Sequence, residues 1–178
     1  MVTSAFPSAA AAGVRWQGLV PVADVRTRAL VLGSFPGVRS LQLQQYYAHP
    51  QNHFWRLMQA LWPQHPQPSR EDYAGRCEWL LARGLGLWDV YASCEREGSL
   101  DSAIRAAQPN DIAGLRRLCP HLTLALHNGS ESFKHAKQTR AMGLEALRLP
   151  STSPANASWS FEKKLQAWHD ALAAHSLV

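Results

Sequence analysis

Four short apolar runs, at 29–32, 85–91, 122–126 and 146–149, alternate along the chain with segments whose apolar residues recur at helical spacing. This alternation constrains the fold more than any other feature of the sequence. Apolar runs this short, with few polar interruptions, suit strands buried on both faces. Strands and helices in alternation connect by right-handed crossovers, which set parallel strands side by side and helices against both faces. The sequence therefore predicts an α/β protein, a three-layer α/β/α sandwich around a short, mostly parallel four-stranded sheet.

The helical segments can be placed with their ends. A helix over 52–61 carries Phe54, Trp55, Met58 and Leu61 on one face. A proline-rich connector at 63–68 leads to a helix over 72–83, with Ser69 as a cap ahead of the acidic pair Glu71 and Asp72. Gly84 then supplies a left-handed stop. Further helices are expected at 111–118, with Asp111 in the first turn, at 130–139, and at 160–174, where Phe161, Leu165, Trp168 and Leu172 share one side. Trp55 and Trp62 read as core.

With 178 residues and 46% hydrophobic content, the chain suits a single domain over 1–178, with 1–20 as a loosely ordered extension. Cys77, Cys94 and Cys119 are too few and too far apart for a disulfide framework, an iron–sulfur site or a paired zinc site, so they are expected as reduced thiols. The first residues lack a basic stretch before an apolar core, and no window approaches the roughly 18 to 20 apolar residues of a membrane span. A soluble cytoplasmic protein is expected.

Eighteen Lys and Arg against thirteen Asp and Glu give a formal charge of +5, which favours a polyanionic partner. The basic residues are scattered, with Arg116-Arg117 and Lys163-Lys164 as doublets, so charge alone does not identify that partner.

All four runs end in small or polar residues: Gly33-Ser34, Asp89 with Tyr91, His127-Asn128-Gly129, and Ser151-Thr152-Ser153. In open α/β sheets the carboxyl ends of the strands form the crevice where ligands bind, so the four loops should converge on one site. There is no GxGxxG, GxxxxGK[ST] or GxSxG, which argues against a dinucleotide site, a nucleoside triphosphate site and a serine-nucleophile elbow. His49, His53 and His127 have no carboxylate pairing of the HExxH kind, so neither a metal nor a cofactor is expected.

The segments GSFPG (33–37), YYAHPQNHFW (46–55), LWDVYASCEREGSLDSAI (87–104), HNGSESF (127–133) and LPSTSPANAS (149–158), in this order, resemble the uracil-DNA glycosylase superfamily. Within it the chain is most similar to the hypoxanthine-DNA (deoxyinosine) glycosylase branch, over roughly residues 28–170. The resemblance implies a base-excision pocket at the strand ends and a DNA partner carrying a deaminated base; no membrane partner is expected, and the protein is expected to be a monomer. It also implies a monofunctional hydrolase acting on N-glycosyl bonds. Uracil is the alternative substrate, and an inactive nucleic-acid-binding module or a protein acting on free nucleotides is the alternative class.

The superfamily's first motif falls on Gly33-Ser34-Phe35-Pro36-Gly37. Most branches carry Asp or Asn immediately before that proline, where the side chain positions the attacking water. Here the residue is Phe35, which can neither accept a proton nor orient water by hydrogen bonding. The catalytic candidates are therefore Asn52, whose amide carbonyl can hold a water, and Ser34. Asn52 is equally suited to cap the helix that follows it.

The base-binding candidates are Gly33, Phe35, Tyr47, His49, Phe54, Asp89 and Asn128. An ionised Asp89 could accept the N1–H of hypoxanthine, or it could pair with an arginine such as Arg96 or Arg105. Aromatic faces among Phe35, Tyr46, Tyr47 and Phe54 could stack on a flipped base. The second motif falls on 151–156, so Ser151, Thr152, Ser153 and Asn156 are the candidate DNA contacts, binding phosphate through hydroxyl, amide and backbone donors.

Overall fold

Each of the four apolar runs becomes a strand of one parallel sheet in the computed structural model of the protein, which describes residues 14–178. Strand β2 (Ala29–Gly33) is buried along its whole length, between β3 (Leu85–Asp89) and β6 (Leu124–Asn128). β7 (Glu145–Leu149) closes the far edge, giving the order β3-β2-β6-β7. The register pairs Gly33 with Asp89, Leu32 with His127 and Asn128 with Leu149, so the carboxyl ends of all four strands lie level.

Side-chain alternation along these strands divides the core in two. Ala29, Val31, Leu85, Leu87, Leu124 and Leu126 pack with α2 (Phe54–Leu61), α3 (Tyr73–Leu81) and α7 (Phe161–Ala173). Leu30, Leu32 and Ala125 pack instead with Ile112, Leu115 and Cys119 of α4 (Ile112–Leu118) and its end. Phe54 and Trp168 are wholly buried in the first layer, and each large apolar side chain so buried contributes roughly 1.5–3 kcal/mol. Trp55 and Trp62 lie in the same layer, as expected for core residues.

A second sheet was not anticipated. β1 (Arg15–Gln17), β4 (Tyr91–Glu95) and β5 (Arg105–Pro109) form an antiparallel sheet in the order β1-β4-β5. The apolar run at 85–91 is thus two strands rather than one. β3 ends at Asp89, and after Val90 the chain passes into the other sheet. The expected loose extension at 1–20 needs correction for its last part: Arg15–Gln17 pairs with β4, and Trp16 Nε1 donates to the Arg96 carbonyl at 3.1 Å. Residues 1–13 lie outside the described residues.

Helix ends also differ from expectation. α1 (Val38–Leu43) follows the GSFPG turn, where no helix was expected. α2 begins at Phe54 rather than at residue 52. Asp72, not Ser69, caps α3 by accepting from Gly75 N at 2.9 Å, and Asp111 caps α4 in the same way at 2.8 Å. The helix expected over 130–139 is broken into α5 (Ser130–Phe133) and α6 (Ala136–Ala141).

Buried His127 bridges the broken helix, with Nδ1 2.8 Å from Ser132 Oγ and Nε2 3.1 Å from Thr139 Oγ1. Ser132 donates its proton to the Leu32 carbonyl, so Nδ1–H donates to Ser132, while the single Thr139 hydroxyl proton faces both Nε2 and the Ala136 carbonyl, 3.1 Å from Oγ1. Burial holds this imidazole neutral, with its pKa lowered to about 4. It is a structural bridge. Cys77, Cys94 and Cys119 are free thiols. Among the described residues no helix is long and apolar enough to cross a membrane.

Candidate active site

The carboxyl ends of the parallel strands open into a cavity of about 850 Å³. A volume in this range accommodates a small-molecule-sized ligand such as a nucleoside. Twelve of the thirteen residues singled out in the sequence line it: Gly33, Ser34, Phe35, Tyr47, His49, Asn52, Asp89, Asn128, Ser151, Thr152, Ser153 and Asn156. Phe54 does not, and its assignment to base binding is corrected. It is the first residue of α2 and is fully buried beneath Tyr47, stacked on it at 4.1 Å, with Trp55 and Trp168 against its edges.

Asp89 forms the buried part of the wall. Its side chain is 4% exposed, and Oδ2 has no hydrogen-bond partner among the described residues. Burial, reinforced by the negative charge of Asp101 and opposed by Arg96, pushes its carboxyl up to about 7. The ion pair considered for it does not form. Arg96 instead donates through Nη2 to the Pro36 carbonyl and lies over the Phe35 ring at 5.1 Å, while Arg105 donates to the Ser102 and Ile104 carbonyls.

Gly33 makes this arrangement possible. A Cβ there would collide with Asp89 Oδ1 and come within 3.6 Å of the Tyr47 hydroxyl, so only glycine leaves the approach to the carboxyl open.

Tyr47 adopts a left-handed backbone (φ 55°), uncommon for a bulky residue, which seats its ring on Phe54. Its hydroxyl accepts from Asn128 Nδ2 at 3.2 Å, so its own proton is free to donate. Asn128 is heavily committed: Nδ2 also donates to Thr152 Oγ1 at 3.0 Å, and Oδ1 accepts from Thr152 N at 3.0 Å. This network ties the end of β6 to the loop after β7. Gly129 (φ 103°) lets the chain turn away there, close against Ser151.

Asn52 lies at the cavity wall two residues before α2, where Oδ1 accepts from Phe54 N at 2.9 Å. One lone pair thus holds the helix start, and the second lone pair and the amide N–H groups are not used by this bond. His49 is exposed at the rim, with Nδ1 accepting from Gln51 N at 3.2 Å. Phe35 is largely buried, with its remaining surface toward the cavity.

The loop 150–160 holds itself in place. Ser151 Oγ accepts from Ser153 N, Ser153 Oγ accepts from Ala155 N, and Asn156 Nδ2 donates to the Ser151 carbonyl at 3.1 Å. Beneath it Lys164 of α7 is 1% exposed, with Nζ 3.5 Å from the Ser153 carbonyl, and burial lowers its pKa.

Several lining residues had no assigned role in the sequence. Trp159 stands 43% exposed at the rim. Arg148 enters from β7. Asp101 enters from a single 3₁₀ turn, Asp101–Ala103, between β4 and β5. The only cue to Asp101 was its place in the segment 87–104, because a short polar turn has no periodicity to read. Among the described residues no group of three or more His, Cys, Asp or Glu side chains could hold a metal ion.

The family model described as the uracil DNA glycosylase superfamily matches residues 20–172. The chain belongs to this superfamily. A hypoxanthine DNA glycosylase of Methanosarcina barkeri is 39% identical over 155 residues, covering 87% of this chain and 96% of that protein. One of the same name from Methanosarcina acetivorans is 38% identical over 144 residues, covering 81% and 90%. A solution NMR structure of a candidate uracil DNA glycosylase from M. acetivorans superposes with a TM-score of 0.74 at 34% identity, covering 88% of this chain and 98% of that one. The superfamily's fold is thus the one described above, and Gly33–Gly37, the segment that resembles its first motif, lines the cavity with Phe35 before the proline.

Proposed function

We propose that this protein is a monomeric DNA glycosylase that removes hypoxanthine from DNA by hydrolysing its N-glycosidic bond. The observation that carries the reading is Asp89, a buried carboxyl lining the strand-end cavity with one oxygen unpartnered and its approach kept clear by Gly33. When ionised it accepts the N1–H of hypoxanthine. When protonated, which a carboxyl pushed up to about 7 is for much of the time at neutral pH, it donates to the departing base. The relatives named for hypoxanthine point to the same substrate.

A base reaches such a cavity only after leaving the duplex stack. Phe35 and Tyr47 offer it aromatic faces, with His49 and the tethered Asn128 beside them. Ser151, Thr152, Ser153 and Asn156 receive the flanking phosphates through the loop's N–H and hydroxyl groups. Asn52, pinned by Phe54 N, orients the water, and Ser34 completes the water side of the cavity. Reduced thiols suit a cytoplasmic protein.

The test is strand scission. Duplexes carrying hypoxanthine, uracil, xanthine or 8-oxoguanine are incubated with the protein and then treated with alkali. Cleavage at hypoxanthine is expected. Cleavage confined to uracil would reassign the substrate, and no cleavage on any duplex would favour the binding-module reading that Phe35 raises. Among the described residues no lysine lines the cavity, so borohydride should trap no protein–DNA adduct.

A further inference from the structure

The cavity has a second carboxyl, and the role assigned to Asp89 leaves it unused. Asp101 reaches the wall from the connection between β4 and β5, and its Oδ1 accepts from Ser34 Oγ at 2.6 Å. Ser34 immediately follows Gly33, so the two residues of this turn each adjoin one carboxyl, Asp89 at Gly33 and Asp101 at Ser34. Only Oδ1 of Asp101 is held by a side chain among the described residues, which leaves Oδ2 for a ligand or a water.

The environments of the two carboxyls differ. Asp89 is enclosed, with an unpartnered oxygen, whereas Asp101 keeps contact with solvent and has a hydroxyl donor to stabilise its charge. Pairs of carboxyls set apart in this way serve as acid and base in the hydrolysis of glycosidic bonds. We infer that Asp101 is a catalytic carboxylate of this cavity, taking a proton from the attacking water and supplying the negative charge that Phe35 cannot supply. This rests on the glycosylase reading above.

The water oxygen bonds to C1′ of the sugar while the bond from C1′ to the base nitrogen breaks, and that bond's electron pair leaves with the base. One water proton passes to the Asp101 carboxylate and later to solvent, and the other remains on the new hydroxyl. The departing base takes a proton from Asp89 or from solvent. While the sugar carries oxocarbenium character, the Asp101 charge opposes it. Asn52 is complementary, since an amide can orient water but cannot take its proton.

The Asp101 carboxyl is also held above its ordinary value of 3.8, and its surroundings set that balance. Its place in the wall raises it by desolvation, the Ser34 hydroxyl lowers it, Glu131 of α5 raises it, and Arg96 and Lys134 lower it. The Asp101 charge in turn raises Asp89, Tyr91 and Cys94.

The experiment is single-turnover release of hypoxanthine from a duplex by the full chain, from about pH 5 to pH 9, in wild type, Asp101→Asn and Ser34→Ala. Thermal unfolding and duplex binding are measured alongside. Asp101→Asn keeps an acceptor for Ser34; it should slow release about 100-fold at neutral pH and flatten the acidic limb of the profile, with duplex affinity changed by less than about threefold. Ser34→Ala removes the hydrogen bond that favours the ionised carboxyl, so its acidic limb should move to higher pH. This second variant keeps the test decisive if the first fails to fold.

An active wild type with Asp101→Asn within about twofold of it would overturn the inference. So would a slower variant with its acidic limb intact, which would make Asp101 a positioning residue. An inactive wild type would remove the glycosylase reading and this role together, whereas the preceding outcomes remove this role alone.

Discussion

The two walls of the cavity are built on different principles. One is the end of the parallel sheet, where Asp89 closes a strand whose other residues are buried or nearly so and has an oxygen without a partner among the described residues. The other is the turn leading into β5, whose residues are mostly exposed and where Asp101 is held by one hydroxyl. The first wall is fixed by packing and fits the reading of a base. The second is open to solvent and fits the handling of water. A catalytic group that must exchange protons is better placed on the second wall, and a recognition group that must not accept stray partners on the first.

The largest expected effect comes from filling the gap between the walls. Gly33→Ala puts a methyl into Asp89 and should cut hypoxanthine excision by about 100-fold, a typical cost of displacing a catalytic group by an ångström, while the fold survives. Unchanged excision would mean that the approach to Asp89 over Gly33 is not the route taken by the base.

Asp89→Asn tests the enclosed wall through stability. The folded protein holds this carboxyl at about 7, above its ordinary value of 3.8, so charging it opposes folding. Wild-type stability should therefore fall as pH rises between these values, and the loss should be complete above the upper one. Asn carries no such penalty. The variant should match wild type at low pH and be more stable above neutrality by on the order of 4 kcal/mol, read from denaturant midpoints at acidic and alkaline pH.

The sheet was legible because burial leaves a record in composition. The run at 29–32 can be read as a strand because every one of its side chains is enclosed. The antiparallel sheet leaves no such record. Arg15–Gln17 is exposed throughout and Arg105–Pro109 nearly so, and such residues could equally belong to a loop. The site was legible on the same terms. The residues at the parallel strand ends reached the cavity, whereas Asp101 came from the part of the chain that periodicity cannot describe. Phe54 failed for a related reason: spacing showed it on a helix face, and the face it occupies is the core.

Smaller effects should separate the walls further. Thr152→Val removes the hydroxyl that accepts from Asn128 and should cost about 1 kcal/mol, together with a several-fold loss of excision as the loop after β7 loosens. Trp16→Ala removes a hydrogen bond from β1 to the Arg96 carbonyl. It should cost under about 1 kcal/mol and change excision least, since this strand is the outer edge of the second sheet. A large loss of excision from Trp16→Ala would show that the outer strand, and not the turn at Asp101 alone, sets the open wall.

The most direct measurement is the ratio of hypoxanthine to uracil release under single-turnover conditions in wild type, Asp89→Asn and Asp101→Asn. If the enclosed wall reads the base and the open wall handles water, Asp89→Asn changes the ratio, falling more on hypoxanthine, and Asp101→Asn slows both bases by the same factor. Equal loss on both bases in Asp89→Asn, or a changed ratio in Asp101→Asn, would contradict this division of labour.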